Sequence, residues 1–209
     1  MKDNDKVVGD NTPFPKLILA SQSPRRKEIL KAHGHNPVIL PANVDETVPE
    51  NMTPEDAVML LALKKGRFVL ENNRDFFSDN CVIIASDTVV YKGEILGKPK
   101  DMARAREMIK KLRRTSHEVI TGVALIQPGT NREYCFYEVT KVFCKDMKDE
   151  EVEAYVNTQE PYDKAGGYGI QGTFGKYIDH IEGDYENVVG LPYNRLSAEL
   201  SEFLNRHNL

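Results

Sequence analysis

The chain has 209 residues, of which 40% are apolar and 29% charged, with a formal net charge of −4 and three cysteines. That length supplies one large domain, or one domain in two lobes, able to bury about 70% of its unfolded surface without disulfide or metal staples. The mild acidity excludes a nucleic acid polymer gripped over a broad basic face, and the longest apolar run, residues 57–63, is far short of the roughly 18 residues of a membrane span.

Residues 1–16 are polar, contain Pro13 and Pro15, and lack the apolar segment of a signal peptide, so a poorly ordered extension is expected ahead of a domain over 17–209. Cys81, Cys135 and Cys144 form no C-x-x-C pair, which fits buried thiols in the reducing cytoplasm. Residues 16–20 read as a short strand. Ser23-Pro24 then opens a helix that runs through Arg26, Leu30 and Ala32 and stops at Gly34. Thr53-Pro54-Glu55-Asp56 resembles a capping box with the shorter acid, and Ala57, Leu61 and Phe68 recur on one helical face. Residues 81–85 form an apolar strand, and residues 89–91 and 94–96 flank Lys92-Gly93 as a hairpin. Asp101 caps a helix marked by Ala105, Met108, Ile109 and Leu112. Two β-rich stretches, 119–126 and 134–144, enclose the turn Pro128-Gly129-Thr130-Asn131. A short helix about Val152, Tyr155 and Val156, a strand over 177–181 and a closing helix through Leu196, Leu200, Phe203 and Leu204 complete the chain. Helices interleaved with strands, some joined by tight turns, predict an α/β fold with a mixed sheet.

The chemistry begins at Ser21-Gln22-Ser23-Pro24-Arg25-Arg26. Two arginines in the first turn of a helix meet the positive end of its dipole, so they need an outside reason. A phosphate held by both guanidinium groups, the hydroxyls of Ser21 and Ser23, and free amides supplies one. Asp87, in Ser86-Asp87-Thr88, follows an apolar strand, where α/β sheets present groups to ligands. Asp45-Glu46, at the end of the run 37–44, offers a second acidic point, with an exposed acidic loop as the alternative, and two separated carboxylates beside a basic pocket suit a divalent cation. Lys65 falls on the apolar stripe of its helix and either enters a pocket or runs its stem along the stripe. Lys98 sits in the restricted turn Gly97-Lys98-Pro99. Residues 160–172, with Glu160, Asp163, Lys164 and Gln171 among glycines, form a loop able to approach a ligand with its backbone. No Walker P-loop, dinucleotide turn, H-E-x-x-H or G-x-S-x-G is present.

Six of these segments, Leu19 to Arg26, Val44-Asp45-Glu46, Leu61-Ala62 through Lys65, Ser86-Asp87-Thr88, Gly97-Lys98-Pro99 and Glu160 to Gly172, closely resemble the motifs of the Maf (septum-formation protein) family, in the family's order. The resemblance implies a mixed elongated sheet with flanking helices, two lobes around a cleft, similar to the inosine triphosphatase architecture. It implies a divalent metal, Mg or Mn, and hydrolysis of a nucleoside triphosphate to the monophosphate and pyrophosphate. Asp87 matches the family's proton acceptor. Arg25, Thr88 and Gln171 match positions of the subgroup acting on dTTP and UTP, while Ser23, Arg26, Glu46, Lys65 and Lys98 match its phosphate and metal pocket. Gly66 departs from an alanine common in the family, a change expected to touch helix stability more than chemistry. The expected partner is a nucleoside triphosphate, without nucleic acid polymer or membrane, and a homodimer is compatible with the sequence. The competing readings are a pyrophosphatase for modified or non-standard nucleotides and a nucleotide-binding regulator of cell division without turnover.

Overall fold

The protein is described here by a computed structural model covering residues 15–77 and 80–205. Residues 1–14 of the expected extension lie outside the described residues, whereas Lys16 already opens the first strand. The strands are β1 (Lys16–Leu19), β2 (Val38–Ile39), β3 (Cys81–Tyr91), β4 (Ile95–Leu96), β5 (Ser116–Gln127), β6 (Arg132–Cys144) and β7 (Ile178–Glu182). The helices are α1 (Pro24–Ala32), α2 (Pro54–Asn72), α3 (Met102–Leu112), α4 (Asp149–Val156), α5 (Tyr185–Val189) and α6 (Tyr193–Asn205).

Local chemistry sets most of these boundaries. Thr53 Oγ1 accepts from the Asp56 amide at 3.2 Å and starts α2, and Asp101 Oδ1 accepts from the Arg104 amide at 2.8 Å and starts α3. One mixed sheet, ordered β2-β1-β3-β5-β6-β7 with β4 against β3, forms the centre. The β2–β1 and β1–β3 pairs are parallel, and the pairs β3–β4, β3–β5, β5–β6 and β6–β7 are antiparallel. Side chains alternate across it. Val82, Ile84, Val123 and Leu125 pack with Ile29 and Leu30 of α1 and Leu196, Leu200 and Phe203 of α6. Ile83, Ala85, Ala124 and Ile126 pack against Ala62 and Val69 of α2 on the other face. A separate core joins Leu96, Met108, Ile109 and Leu112 to Val152, Tyr155 and Phe174. These three packings give the two lobes.

Gly122 fixes how closely α2 approaches the sheet. A Cβ there would lie 2.4 Å from the Val58 carbonyl carbon, so only glycine lets the helix backbone rest on β5. Gly66 is milder: its Cβ would meet the Ile126 Cδ1 at 2.7 Å, the movable end of a side chain.

Two expectations needed correction. The strand expected to end at Ala85 continues to Tyr91, because Ser86, Asp87 and Thr88 stay in register with Val123, Gly122 and Thr121 of β5. Asp87 is therefore inside a strand rather than just beyond one. Helix α5 was not foreseen; five residues are too few for a periodic pattern, and the Asp184 carboxylate caps it by accepting from the Glu186 and Asn187 amides.

Candidate active site

Strand β3 pairs with β1 only as far as Ile84 and with β4 only from Val90. Residues 85–89 thus present one open edge, and a cleft of about 1160 Å³ lies against it. Ser21, Ser23, Arg25, Arg26, Glu46, Lys65, Asp87, Thr88, Lys98, Glu160, Asp163, Lys164 and Gln171 all line this cleft. The chain therefore brings together every residue singled out in the sequence, from segments up to 150 positions apart, although their contacts divide them into different tasks.

Strand alternation sends Asp87 and Thr88 to opposite faces. Asp87 shares the face of Ala85 and meets α2, where its Oδ1 accepts from Lys65 Nζ at 2.5 Å. The same Nζ lies 2.7 Å from Glu46 Oε1. Lys65 and Asp87 are buried, which decides between the two readings of Lys65: its ammonium enters the cleft. Burial pushes the Glu46 carboxyl up, but the Lys65 hydrogen bond and the charges of Lys65, Lys98 and Arg26 outweigh it and hold the group below its ordinary range. Lys98 is exposed at the rim.

Arg26 lies on the other face, and its outside reason proves to be internal. Its Nε donates to the Gly190 carbonyl at 2.9 Å, Nη1 to the Ser86 carbonyl at 2.8 Å and Ser21 Oγ at 3.2 Å, and Nη2 to Thr88 Oγ1 at 3.1 Å. Four of five guanidinium donors are spent on the protein, so Arg26 cannot clamp a phosphate with a free fork. It contributes charge and one remaining N–H. Burial lowers its pKa while the Asp87 charge opposes that shift.

Behind Thr88 runs a chain of polar groups that the motifs did not include. Thr121 Oγ1 lies 2.9 Å from Thr88 Oγ1 and donates to the Asn187 carbonyl at 3.1 Å. With its one proton committed there, Thr121 must accept from Thr88. Asn187 Nδ2 donates to the Val119 carbonyl and to Thr140 Oγ1, both at 3.0 Å, and Asn187 is fully buried. This chain anchors the turn that aims the Gly190 carbonyl at Arg26. Its only local signal was Thr121 inside the largely apolar, buried stretch of β5.

The opposite wall is residues 160–172. Glu160 was expected to touch substrate, but its carboxylate accepts from Thr173 N at 2.9 Å, Thr173 Oγ1 at 2.7 Å, Phe174 N at 3.4 Å and Tyr155 OH at 3.3 Å. Glu160 therefore ties the start of the loop to Thr173 and Phe174 just past its end and to Tyr155 of α4. Lys164 donates to the Glu160 carbonyl at 2.8 Å and to the neighbouring Asp163 carboxylate, and is likewise engaged within the loop. Asp163 reaches Arg25 across the cleft at 3.7 Å. Gly166, at φ +67°, lies where a Cβ would strike the Val90 side chain at 2.8 Å, so the loop closes on β3 only with glycine. Gln171 is exposed to the cleft beside this wall.

Residues 16–203 match the model of the Maf-like protein family. The chain belongs to that family. A Bacillus thuringiensis subsp. konkukian (strain 97-27) member named dTTP/UTP pyrophosphatase is 47% identical over 189 residues, covering 90% of this chain and 95% of that protein. A Bacillus cereus (strain ATCC 10987 / NRS 248) member of the same name is 46% identical over 196 residues, covering 93% and 92%. The structure of the Staphylococcus aureus Ham1 protein overlaps 64% of this chain and 73% of that one, at a TM-score of 0.41 and 14% identity. Membership in the Maf-like family accounts for the order of the six motifs and for their convergence on one cleft.

Proposed function

We propose that the protein hydrolyses UTP and dTTP between the α- and β-phosphates, releasing pyrophosphate and the nucleoside monophosphate. The observation that carries this reading is the meeting of two carboxylates and three cations at the open edge of β3, faced by a loop that offers Gln171. Its relatives' printed name, dTTP/UTP pyrophosphatase, supports the same substrates.

Among the described residues no three His, Cys, Asp or Glu side chains converge to hold a metal. The donor set still fits Mg²⁺ or Mn²⁺, because such ions are commonly bound by one or two carboxylates with substrate phosphates completing the shell. Glu46 would hold the ion, with Asp87 beside it, and a bound ion would neutralise phosphate charge. Asp87 is placed to accept a proton from water, whose oxygen bonds to the α-phosphorus as the bond to the bridging oxygen breaks and pyrophosphate departs. Lys65, Lys98 and the single free Arg26 donor face the negative charge that develops on the phosphates. Lys65 also orients Asp87 through their hydrogen bond. The three cysteines form no disulfide, and burial pushes the Cys135 and Cys144 thiols up to about 11 and about 12, which supports the cytoplasm as its location.

A panel of UTP, dTTP, GTP, ATP and modified nucleotides, assayed for pyrophosphate and orthophosphate with and without Mg²⁺ or Mn²⁺, tests the proposal. Pyrophosphate from UTP and dTTP, abolished by chelator, is expected. Orthophosphate with a nucleoside diphosphate would move the cleavage site, preference for a modified base would move the substrate, and binding without turnover would make the protein a regulator.

A further inference from the structure

One ammonium sits where two carboxylates converge: Lys65 Nζ is 2.5 Å from Asp87 Oδ1 and 2.7 Å from Glu46 Oε1. The lysine side chain is only 11% exposed, and it is carried on α2, whose backbone lies directly on β5 at Gly122. Lys98 and Arg26 also act on Glu46, so two carboxylates face three cations. Around Glu46 that local balance disfavours a free divalent cation, and the oxygen donors it would need are already occupied by an ammonium. A triphosphate reverses the sign of the pocket. It also offers Lys65 new acceptors, and an ammonium has three donors of which two are spent on the carboxylates.

We propose that Lys65 holds, in the free protein, the position between Glu46 and Asp87 that a divalent cation would take, so that the cation enters with the triphosphate and not ahead of it. The inference rests on the triphosphate reading given above. On nucleotide entry the Lys65 ammonium transfers from the carboxylates to phosphate oxygens, and the vacated carboxylate oxygens receive the cation. Order of binding is then a consequence of charge, not of a moving lid.

The test is Mn²⁺ binding to the full chain, followed by the electron paramagnetic resonance of free Mn²⁺, with no turnover involved. Without nucleotide, the native protein should bind Mn²⁺ weakly, and K65M should bind it about tenfold tighter or more, because like charges at contact distance repel strongly even at the effective dielectric of a protein cleft. K65R, which keeps the charge, should remain near the native protein. Adding E46Q to K65M should return the affinity to the native level. The non-hydrolysable analogue α,β-imido-UTP should tighten Mn²⁺ binding to the native protein by about tenfold or more, and should tighten K65M by less. A folded K65M that binds Mn²⁺ no better than the native protein overturns the inference. Should K65M not fold, tight Mn²⁺ binding by the native protein without any nucleotide overturns it equally. If the analogue changes nothing while K65M still binds Mn²⁺ more tightly, the triphosphate reading fails and the placement of Lys65 stands.

Discussion

The two walls of the cleft are built on different principles. The wall built on β3 is held by regular elements and by bonds between distant segments: Arg26 reaches Ser86, Thr88 and Gly190, up to 164 positions away. The opposite wall is braced mainly by near neighbours, with Glu160 bonded to Thr173 and Phe174 only 13 and 14 positions on and to Tyr155 of α4, while Gly166 bonds the Gly97 carbonyl and rests on Val90 of β3. The difference teaches where each kind of change can be absorbed. A wall assembled from several elements places charges accurately and tolerates little alteration, since each partner serves several others. A loop braced mostly by near neighbours can change an exposed residue it offers to a ligand, such as Gln171, with less effect on β3 or α2.

The sharpest test of that contrast falls on Asp87. D87N keeps the shape and the place in β3 while removing the base, so the melting temperature should stay near native and turnover should fall by about a hundredfold or more. Pyrophosphate release and thermal melting measure the two halves of that statement. Turnover that survives would transfer the proton-accepting role to Glu46, the other carboxylate on Lys65.

A smaller effect, confined to binding, is expected on the loop wall. E160A removes an acceptor shared by Thr173, Phe174 and Tyr155, and hydrogen bonds to a charged group are worth about 1.5–3 kcal/mol each. Because none of Glu160's partners belongs to the β3 wall, the KM for UTP should rise about tenfold while kcat stays within about twofold. A matched fall in kcat would mean that the loop is coupled to the β3 wall after all. The same carboxylate gives a pH test. Burial pushes Glu160 up, but the hydroxyl and amide of Thr173, the Phe174 amide and the Tyr155 hydroxyl outweigh it, so its folded pKa lies below its ordinary value. Such a group stabilises the fold above its unfolded pKa, and the contribution is lost as pH falls through the folded one. The loop wall should therefore loosen only on acidification below the ordinary glutamate range near pH 4.3. E160Q should lack this acid step in thermal melts.

The contrast also explains which parts were legible in the sequence. The caps Thr53 and Asp101, the β3–β4 hairpin and the β5–β6 turn rest on interactions within a few residues, and local pattern carries them; β1, although it pairs with the distant β2 and β3, was legible from its apolar run. Strand β3 was cut short because Ser86, Asp87 and Thr88 interrupt an apolar run, and only pairing with β5 keeps them in the sheet. The cleft residues could be gathered from their motifs and their charge, yet the motifs gave no means of telling substrate contacts from supports. Arg26 and Glu160 turned out to spend most of their hydrogen bonds on the protein, and Asn187 was missed altogether. Its partners, Val119, Thr121 and Thr140, lie 47 to 68 positions away, a separation at which no periodicity or spacing reports a contact.

The smallest expected effect is the most specific to the loop wall. Gln171 is exposed in the cleft and carries both a carbonyl acceptor and an amide donor, which together complement the alternating N–H and C=O edge of uracil or thymine. Q171E keeps the size, replaces the donor with a second acceptor and adds a negative charge near the base carbonyls. One exposed hydrogen bond is worth about 0.5–1.5 kcal/mol, so kcat/KM for UTP and dTTP should fall about two- to tenfold. Glu160, Thr173 and Phe174 do not depend on that side chain, so stability should not move. ATP should remain a poor substrate throughout, since the added charge does not enlarge the cleft. Kinetics of Q171E on UTP, dTTP, GTP and ATP decide the matter: a UTP value equal to that of the native protein would show that Gln171 does not read the base, and would leave the loop wall as a support for the phosphate site alone.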